Sequence, residues 1–284
     1  MVLGSLALFG ACRASAGIAP EAKAAGARTL VIASDLGNAP FAWVAGEEQG
    51  AGTPAAWALP RKGEGGIAVG SPLAVGKADR ALGRDVEMSE QLAAFLADED
   101  GVAVELVWRR TAFDELLPAL EASEADLVVA TLGWTAERAE RVALSQPYFR
   151  TSIEAVVRIG DGEPRTMADL AGRKVSAGLG TTSEFAVRTQ VPAAVLRGSD
   201  DKGETGITGL LAGDLDALVM DGPDARDLVA AHPGEVRLLD APLAREDYVI
   251  AVAPARADEL LPLVDRFLAE HADALRSLDA RYGL

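Results

Sequence analysis

One arginine of this chain, Arg138, follows closely on an apolar run at residues 125–131 that predicts a short buried strand. Open α/β sheets bind their ligands in the loops at the carboxyl ends of such strands. The arginine side chain presents a planar fork of N–H donors that matches the geometry of a carboxylate. The position of Arg138 therefore predicts an anion-binding site, although a solvated helix charge, such as the neighbouring Arg141, has a similar sequence context.

Two polar residues occupy comparable positions later in the chain. Thr182 lies where a predicted helix begins, and the free backbone N–H groups at a helix N-terminus bind anions. A threonine at this position also serves as an ordinary N-cap. Asp221 ends a predicted strand at residues 217–221, but an aspartate before Gly222 and Pro223 is also typical of a turn. Both residues are candidates for a polar binding site.

These candidates need a scaffold of strands and helices, and the hydrophobic patterns predict one. Before Arg138, strands and helices alternate, which predicts a parallel doubly wound unit with elements at residues 29–34, 88–96, 102–108, 113–120 and 125–131. After Arg138, strands at residues 174–178 and 217–221 with intervening helices predict a second unit. We expect a strand at residues 248–252 to pair with residues 153–157 between the two units.

Several short motifs occur in order along this scaffold. They are a strand ending in Asp35 and followed by Pro40-Phe41, then Gly83-Arg84-Asp85-Val86, Thr135-Ala136-Glu137-Arg138 and the terminal Tyr282-Gly283. Together they resemble the family 3 periplasmic solute-binding proteins, the polar amino-acid receptors of ABC importers. The resemblance covers residues 28–284, with one insertion.

The sequence departs from the family pattern at four places. Asn38 and Arg84 stand where the family has aromatic residues, and Gly133 stands where it often has a hydroxyl residue. Residues 45–82 form a Gly-, Ala- and Pro-rich insertion that predicts a loop much longer than the expected connection.

The resemblance implies an α/β protein with the two-lobed type II periplasmic binding protein fold, in which a hinge joins two mixed-sheet lobes. Lobe one would contain residues 28–150 and 254–284, with the 45–82 loop inserted, and lobe two would contain residues 151–253. The ligand would bind in the cleft between the lobes.

The resemblance also assigns roles to individual residues. Arg138 would bind the ligand carboxylate together with the helix that opens at Thr182, and Asp221 would bind the ligand ammonium group. Phe113 would form an apolar wall for the ligand side chain, with Phe41 behind it, and Asp35 would either reach a basic side chain or cap its loop. The full set of expected ligand-binding residues is Arg138, Asp221, Thr182, Thr131, Gly133, Phe113, Asp35, Asn38 and Phe41.

Composition limits the other possibilities. The 284 residues carry a net charge of −16, which argues against nucleic-acid binding because no basic surface is visible. Cys12 is the only cysteine, so an intramolecular disulfide and a thiolate metal cluster are excluded. Residues 1–27 predict a leader and tether, in which Gly10-Ala11-Cys12 resembles the lipid attachment site of a lipoprotein signal. An ordinary secretory signal and a buried thiol remain alternatives.

We therefore expect an extracytoplasmic, monomeric binding protein, held to the membrane at most by a lipid, that delivers its ligand to an ABC transporter permease. The sequence has no phosphate-loop, dinucleotide-binding or zinc-protease motif, so we expect no cofactor, no metal and no enzymatic activity. Two alternatives use the same fold. One is a cyclohexadienyl dehydratase-like enzyme with Glu184 as general acid, and the other is a ligand-sensing domain that serves no transporter.

Overall fold

This computed structural model of the protein describes residues 26–44, 67–68, 80–160, 162–199 and 204–284. The expected lipid attachment at Cys12, almost all of the leader and most of the 45–82 insertion lie outside these residues. No helix within the described ranges is long and apolar enough to cross a membrane.

Strands account for much of the described chain. In chain order they are β1 (Arg28–Ser34), β2 (Gly37–Asn38), β3 (Ala42–Val44), β4 (Ile67–Ala68), β5 (Arg80–Leu82), β6 (Val104–Arg110), β7 (Leu127–Val128), β8 (Ala143–Arg158), β9 (Lys174–Gly178), β10 (Val195–Ser199), β11 (Ala217–Asp221), β12 (Val236–Leu238) and β13 (Ala244–Val252).

Helices connect most of these strands. They are α1 (Arg84–Asp100), α2 (Leu116–Glu121), α3 (Ala136–Arg141), α4 (Thr182–Gln190), α5 (Glu204–Ala212), α6 (Gly222–Ala231), α7 (Ala257–Glu270) and α8 (Ala272–Tyr282), with short 3-10 helices at Phe113–Glu115, Met167–Leu170 and Pro254–Arg256.

One mixed sheet runs through the molecule in the order β10-β9-β11-β8-β13-β7-β1-β6, with β12 also paired to β8. On one side, which we call the first half, β1 pairs in parallel with β6 and β7. On the other side, the second half, β9 pairs in parallel with β10 and β11. The antiparallel strands β8 and β13 join the two halves. A small separate sheet has the order β2-β3-β5-β4.

The pairing of β8 with β13 differs in register from the prediction. Tyr248 lies opposite Phe149, and Ala244 lies opposite Ile153. Of the predicted partners at residues 153–157, only Ile153 pairs with β13, because that strand begins at Ala244 and its other residues pair with earlier residues of β8. Residues 153–157 pair instead with β11. The register shifts between Tyr248 and Ala251, where the ladder is irregular.

Apolar side chains cover both faces of the first half. Leu30 and Ile32 of β1 belong to one buried cluster, while the intervening strand position Ala33 belongs to another. Helix α7 packs against the first cluster through residues at helical spacing, among them Leu260, Val264 and Phe267. Because helices cover both faces of the sheet, its open positions are the loops at the strand ends.

Arg84, which stands where the family has an aromatic residue, is fully buried at the start of α1. Its guanidinium group donates hydrogen bonds to Asp279 Oδ1 at 2.8 Å, to Asp85 Oδ1 at 3.2 Å and to Tyr148 O at 3.3 Å. The Tyr148 hydroxyl donates to the other oxygen of Asp85 at 2.8 Å. The arginine thus replaces apolar packing with an ion-pair network that fixes α1, α8 and the first part of β8 together.

Candidate functional site

Arg138 lies in the first turn of α3, just after the loop that follows β7. The Thr135 hydroxyl caps this short helix by accepting a hydrogen bond from the Arg138 backbone N–H at 3.1 Å. The Arg138 guanidinium donates to Gly133 O at 2.6 Å and, across to the second half, to Gly180 O at 3.1 Å. It also lies over the Phe113 ring, 5.6 Å from the centroid. Arg138 is therefore a buried, fixed positive charge between the two halves.

Thr182 begins α4 on the opposite wall. The N-cap of this helix is its neighbour Thr181, whose hydroxyl accepts a hydrogen bond from Glu184 N at 3.3 Å. The Thr182 hydroxyl does not cap the helix and instead donates a short hydrogen bond to Glu246 Oε1. The sequence left open whether Thr182 caps the helix or belongs to the binding site. Thr181 is the cap, and Thr182 contacts Glu246 in the cleft.

Asp221 ends β11 and precedes α6, as predicted from the apolar strand pattern. Its carboxylate accepts hydrogen bonds from the Tyr248 hydroxyl at 2.6 Å and from the Ser183 hydroxyl at 3.3 Å. Burial raises the pKa of Asp221, while hydrogen bonds from its neighbours and the Arg138 charge oppose that rise. Neither Tyr248 nor Ser183 was recognised from the sequence as part of this site.

Glu246 is the main residue that sequence reasoning missed. It lies on β13 and is only 4 % exposed, beside Thr182 and near Arg138. Burial, together with the nearby charge of Asp221, raises its pKa to about 9. Its neighbours Arg245 and Asp247 are both charged, and such a stretch gives no sign of a buried residue. Strand alternation with the buried Tyr248 was the available signal, since residues two apart share a face.

Gly133 leaves the space that Glu246 fills. A Cβ atom at this position would lie 2.4 Å from Glu246 Oε1 and 2.6 Å from Thr182 Cγ2. The hydroxyl side chain that the family often has at this position would therefore collide with both residues. Gly133 and Glu246 are thus structurally linked, because the missing side chain at residue 133 leaves room for the Glu246 carboxyl group.

Two cavities meet at this site. The smaller cavity, of about 100 Å³, includes in its lining seven of the nine expected ligand-binding residues, which are Asp35, Asn38, Phe113, Thr131, Gly133, Thr182 and Asp221. The larger cavity, of about 740 Å³, lies around Arg138 and Glu246, and its lining includes the exposed side chains of Trp134 and Phe185. Phe113, Thr181 and Thr182 line both cavities, so the guanidinium and the acidic end are parts of one cleft.

The small cavity has a polar rim on its first-half side. Asn38 donates a side-chain hydrogen bond to Thr131 Oγ1 at 3.1 Å. Thr131 has a φ of 47°, a left-handed conformation that is uncommon for a β-branched residue and is found at functional sites. Asp35 interacts electrostatically with Asp224 of α6, whose pKa is raised by burial and by its acidic neighbours. This end of the cleft is therefore acidic.

Phe41 does not line either cavity. It is buried in the first half, with edge-to-face contacts to Phe149 at 5.2 Å and Tyr248 at 5.5 Å between ring centroids. It supports Tyr248, which in turn holds Asp221, so its position is behind the site rather than in its wall.

Glu184, the residue considered as a general acid, lines the larger cavity. Burial alone would raise its pKa, but hydrogen bonds from Gly180 N–H and the Arg188 guanidinium outweigh burial and lower the pKa. A general acid needs a pKa near the working pH to hold its proton. The geometry therefore does not favour an acid role for Glu184. In the part of the chain that the structure describes, no group of three or more His, Cys, Asp or Glu residues could hold a metal ion.

Comparison with known proteins agrees with this architecture. Residues 70–283 match the family described as bacterial extracellular solute-binding proteins, family 3. The L-cystine-binding protein TcyJ of Escherichia coli K12 is 31 % identical over 192 residues, which cover 67 % of this chain and 69 % of TcyJ. The solved structure of holo ArgBP from T. maritima is 27 % identical, with a TM-score of 0.62 over 85 % of this chain and 89 % of that chain.

One relative of a different kind shares part of the sequence. The membrane-bound lytic murein transglycosylase F of Klebsiella pneumoniae is 25 % identical over 167 residues, which cover 57 % of this chain but 32 % of that enzyme. The similarity thus covers less than half of the transglycosylase.

Proposed function

The chain belongs to family 3 of the bacterial extracellular solute-binding proteins, and we propose that its solute is a small amino acid or a related polar zwitterion, bound between Arg138 and Asp221. We further propose that it serves as the substrate-binding protein of an ABC importer. Names of related proteins support this assignment, since TcyJ is an L-cystine-binding protein.

The observation that carries the proposal is a pair of opposite charges held in one cleft. The guanidinium of Arg138 is fixed by two backbone carbonyls, and the carboxylate of Asp221 is fixed by two hydroxyls. Each side chain perturbs the pKa of the other, so they share the same low-dielectric region. A zwitterion buried there needs a partner for each of its charges, because an unpaired buried charge costs several kcal/mol.

In this proposal, lobe one contains residues 28–150 and 254–284, and lobe two contains residues 151–253. Arg138 belongs to lobe one, while Thr182 and Asp221 belong to lobe two. A ligand that contacts both lobes would stabilise the closed arrangement, since only differential contacts shift such an equilibrium. The hydrogen bond from Arg138 to Gly180 O already joins the lobes here.

The other expected residues have supporting roles in this proposal. Thr182 and the backbone of Thr131 and Gly133 would complete the carboxylate site. Phe113 would contact the ligand side chain, because it lines both cavities. Asp35 and Asn38 would contact polar atoms at the acidic end, and Phe41 would act from behind the site.

We propose that the protein lies outside the cytoplasm, in the periplasm or at the cell surface, because its family is described as extracellular. We propose that the closed, ligand-bound form docks as a monomer on a permease. Acylation of Cys12 would anchor it to the membrane, although that residue lies outside the described residues.

A thermal-shift screen tests the function directly. We expect at least one of the twenty standard L-amino acids or L-cystine to raise the Tm, because a ligand that binds only the native state stabilises it. Arg138→Ala should abolish most of that shift. The control is Arg266→Ala, which removes an arginine on α7 that pairs with Glu99 and lines neither cavity.

Two results would refute the proposal. One is the absence of any shift with the whole panel. The other is an equal ligand response in the Arg138→Ala and Arg266→Ala variants, which would place the carboxylate elsewhere.

A further inference from the structure

Tyr248 lies directly behind the residue proposed to bind the ligand ammonium group. Its side chain is 0 % exposed and lines neither of the two cavities, so a ligand in the cleft does not touch it. Its hydroxyl donates a hydrogen bond of 2.6 Å to Oδ2 of Asp221, which lines the smaller cavity. Tyr248 can therefore act on a ligand through the Asp221 carboxylate.

The Asp221 carboxylate has three hydrogen-bond partners within the protein. Tyr248 donates to Oδ2 at 2.6 Å, Ser183 donates to Oδ1 at 3.3 Å, and the Glu246 carboxyl group makes a third hydrogen bond. An ionised carboxylate offers about four lone-pair sites. These partners set the rotation of the carboxylate and leave roughly one acceptor position for a donor in the cavity.

The hydroxyl of Tyr248 is the firmest of the donors to Asp221. Its hydrogen bond is shorter than that of Ser183, and short O–H···O⁻ hydrogen bonds are the stronger ones. The tyrosine ring is itself held in place, by an edge-to-face contact with Phe41 at 5.5 Å and by stacking on Phe149 at 5.8 Å between centroids. Both distances are typical of attractive aromatic pairs. The hydroxyl is thus a rigid reference point for Asp221.

This chain of contacts joins the two halves of the molecule. Phe41 and Tyr248 belong to the same buried cluster, which forms the core of the first half. Asp221 instead ends β11 of the second half. A ligand between Arg138 and Asp221 therefore meets a carboxylate whose direction is set from the first half.

We propose that Tyr248 is a positioning residue for ligand binding, which directs the Asp221 carboxylate towards the ammonium group of the bound amino acid. This inference rests on the function proposed above. Without the hydroxyl, Oδ2 loses its shortest hydrogen bond and the carboxylate can turn. Binding must then order the carboxylate as well as the ligand, which weakens the affinity. The ring of Phe41 contributes from behind the site by holding Tyr248.

Removing the hydroxyl tests this role with little change in packing. The probe is the amino acid with the largest thermal shift in the panel above, titrated by calorimetry. Tyr248→Phe keeps the ring and should weaken binding about tenfold or more, because a hydrogen bond to a charged group is lost. The matched control is Tyr282→Phe. This buried tyrosine also donates to a carboxylate, that of Glu87 at 2.6 Å, and lines neither cavity, so its variant should bind like the wild type.

A double-mutant cycle separates positioning from a general structural effect. In an Asp221→Asn background, Tyr248→Phe should weaken binding by less than about twofold more, since the hydroxyl acts through the carboxylate. A second measurement needs no ligand. With ¹³C-labelled aspartate carboxyl carbons, the NMR signal that is missing from Asp221→Asn should titrate at higher pH in Tyr248→Phe than in the wild type, because the Tyr248 hydrogen bond lowers the pKa of Asp221. Tyr282→Phe should leave this titration unchanged.

The outcomes distinguish this inference from the proposed function. Equal affinities of Tyr248→Phe and Tyr282→Phe, or a further loss of about tenfold in the Asp221→Asn background, would overturn the role of Tyr248 alone. If Asp221→Asn binds too weakly to complete the cycle, an unchanged titration of Asp221 in Tyr248→Phe would overturn it. If no amino acid of the panel binds the wild type, the proposed function fails, and the positioning role fails with it.

Discussion

Replacing Glu246 by glutamine should stabilise the ligand-free protein increasingly as the pH rises. Folding raises the pKa of this group from 4.5 to about 9, so the folded state holds the proton more tightly than the unfolded state. The stabilising effect of that proton is complete below about pH 4.5 and is lost as the pH rises towards 9. Each pH unit in this window costs the wild type about 1.4 kcal/mol, whereas a glutamine does not titrate.

The expected difference is large enough to measure. Between pH 5 and pH 8, the free energy of unfolding of Glu246→Gln should rise by about 4 kcal/mol relative to wild type. Urea unfolding at several pH values, with Glu154→Gln as the control, gives this difference directly. A difference that stays constant over this range would show that Glu246 is ionised in the folded protein, and the reasoning about its environment would be wrong.

Five further substitutions test three other parts of the structure. Gly133→Ala should lower the free energy of unfolding by about 1–3 kcal/mol, because its Cβ atom overpacks the cleft. Arg84→Met should cost about 3–5 kcal/mol by leaving a buried carboxylate unpaired, whereas Arg266→Met, at an exposed pair, should cost less than about 1 kcal/mol. Thr181→Ala should lower stability by about 1 kcal/mol through loss of a cap, whereas Thr182→Val should weaken ligand binding.

Urea unfolding and calorimetric titration of the best amino acid distinguish these outcomes. A wild-type stability for Gly133→Ala would mean that the Glu246 carboxyl moves aside freely. If Arg84→Met and Arg266→Met lower the free energy of unfolding equally, the network around Arg84 is solvated. If Thr181→Ala weakens ligand binding and Thr182→Val does not, the capping and binding roles of the two threonines are reversed.

The fold class and the family could be predicted from the sequence, and both are confirmed by the comparisons. Apolar runs of the right length located β1, β7, β9 and β11, because buried parallel strands have a strong and simple pattern. The pairing of β13 with β8 was also expected, but its register was wrong. The residues that begin β13 are Ala244-Arg245-Glu246-Asp247, and their charges conceal a strand.

The sequence predicted those site residues that lie at the end of a strand or at the start of a helix. Arg138, Thr182 and Asp221 meet in one cleft, as the strand-end argument expects, and their roles as ligand-binding residues remain predictions. Glu246 could not be found in this way, because its burial depends on a glycine more than a hundred residues away. A single sequence does not show which distant small residue leaves room for which acid.

The irregular stretch of β13 has a mechanical consequence. Ladder irregularities disrupt regular pairing and increase the local bend and twist of a strand, so β13 departs from a regular strand at residues 248–251. Glu246 lies only two residues before this irregular stretch, and Asp221 is tied to Tyr248 within it. Groups close to a rotation axis travel little when the outer parts swing. If the two proposed lobes open about this stretch, the acids stay nearly in place, while Trp134 and Phe185, which are exposed in the lining of the larger cavity, travel further.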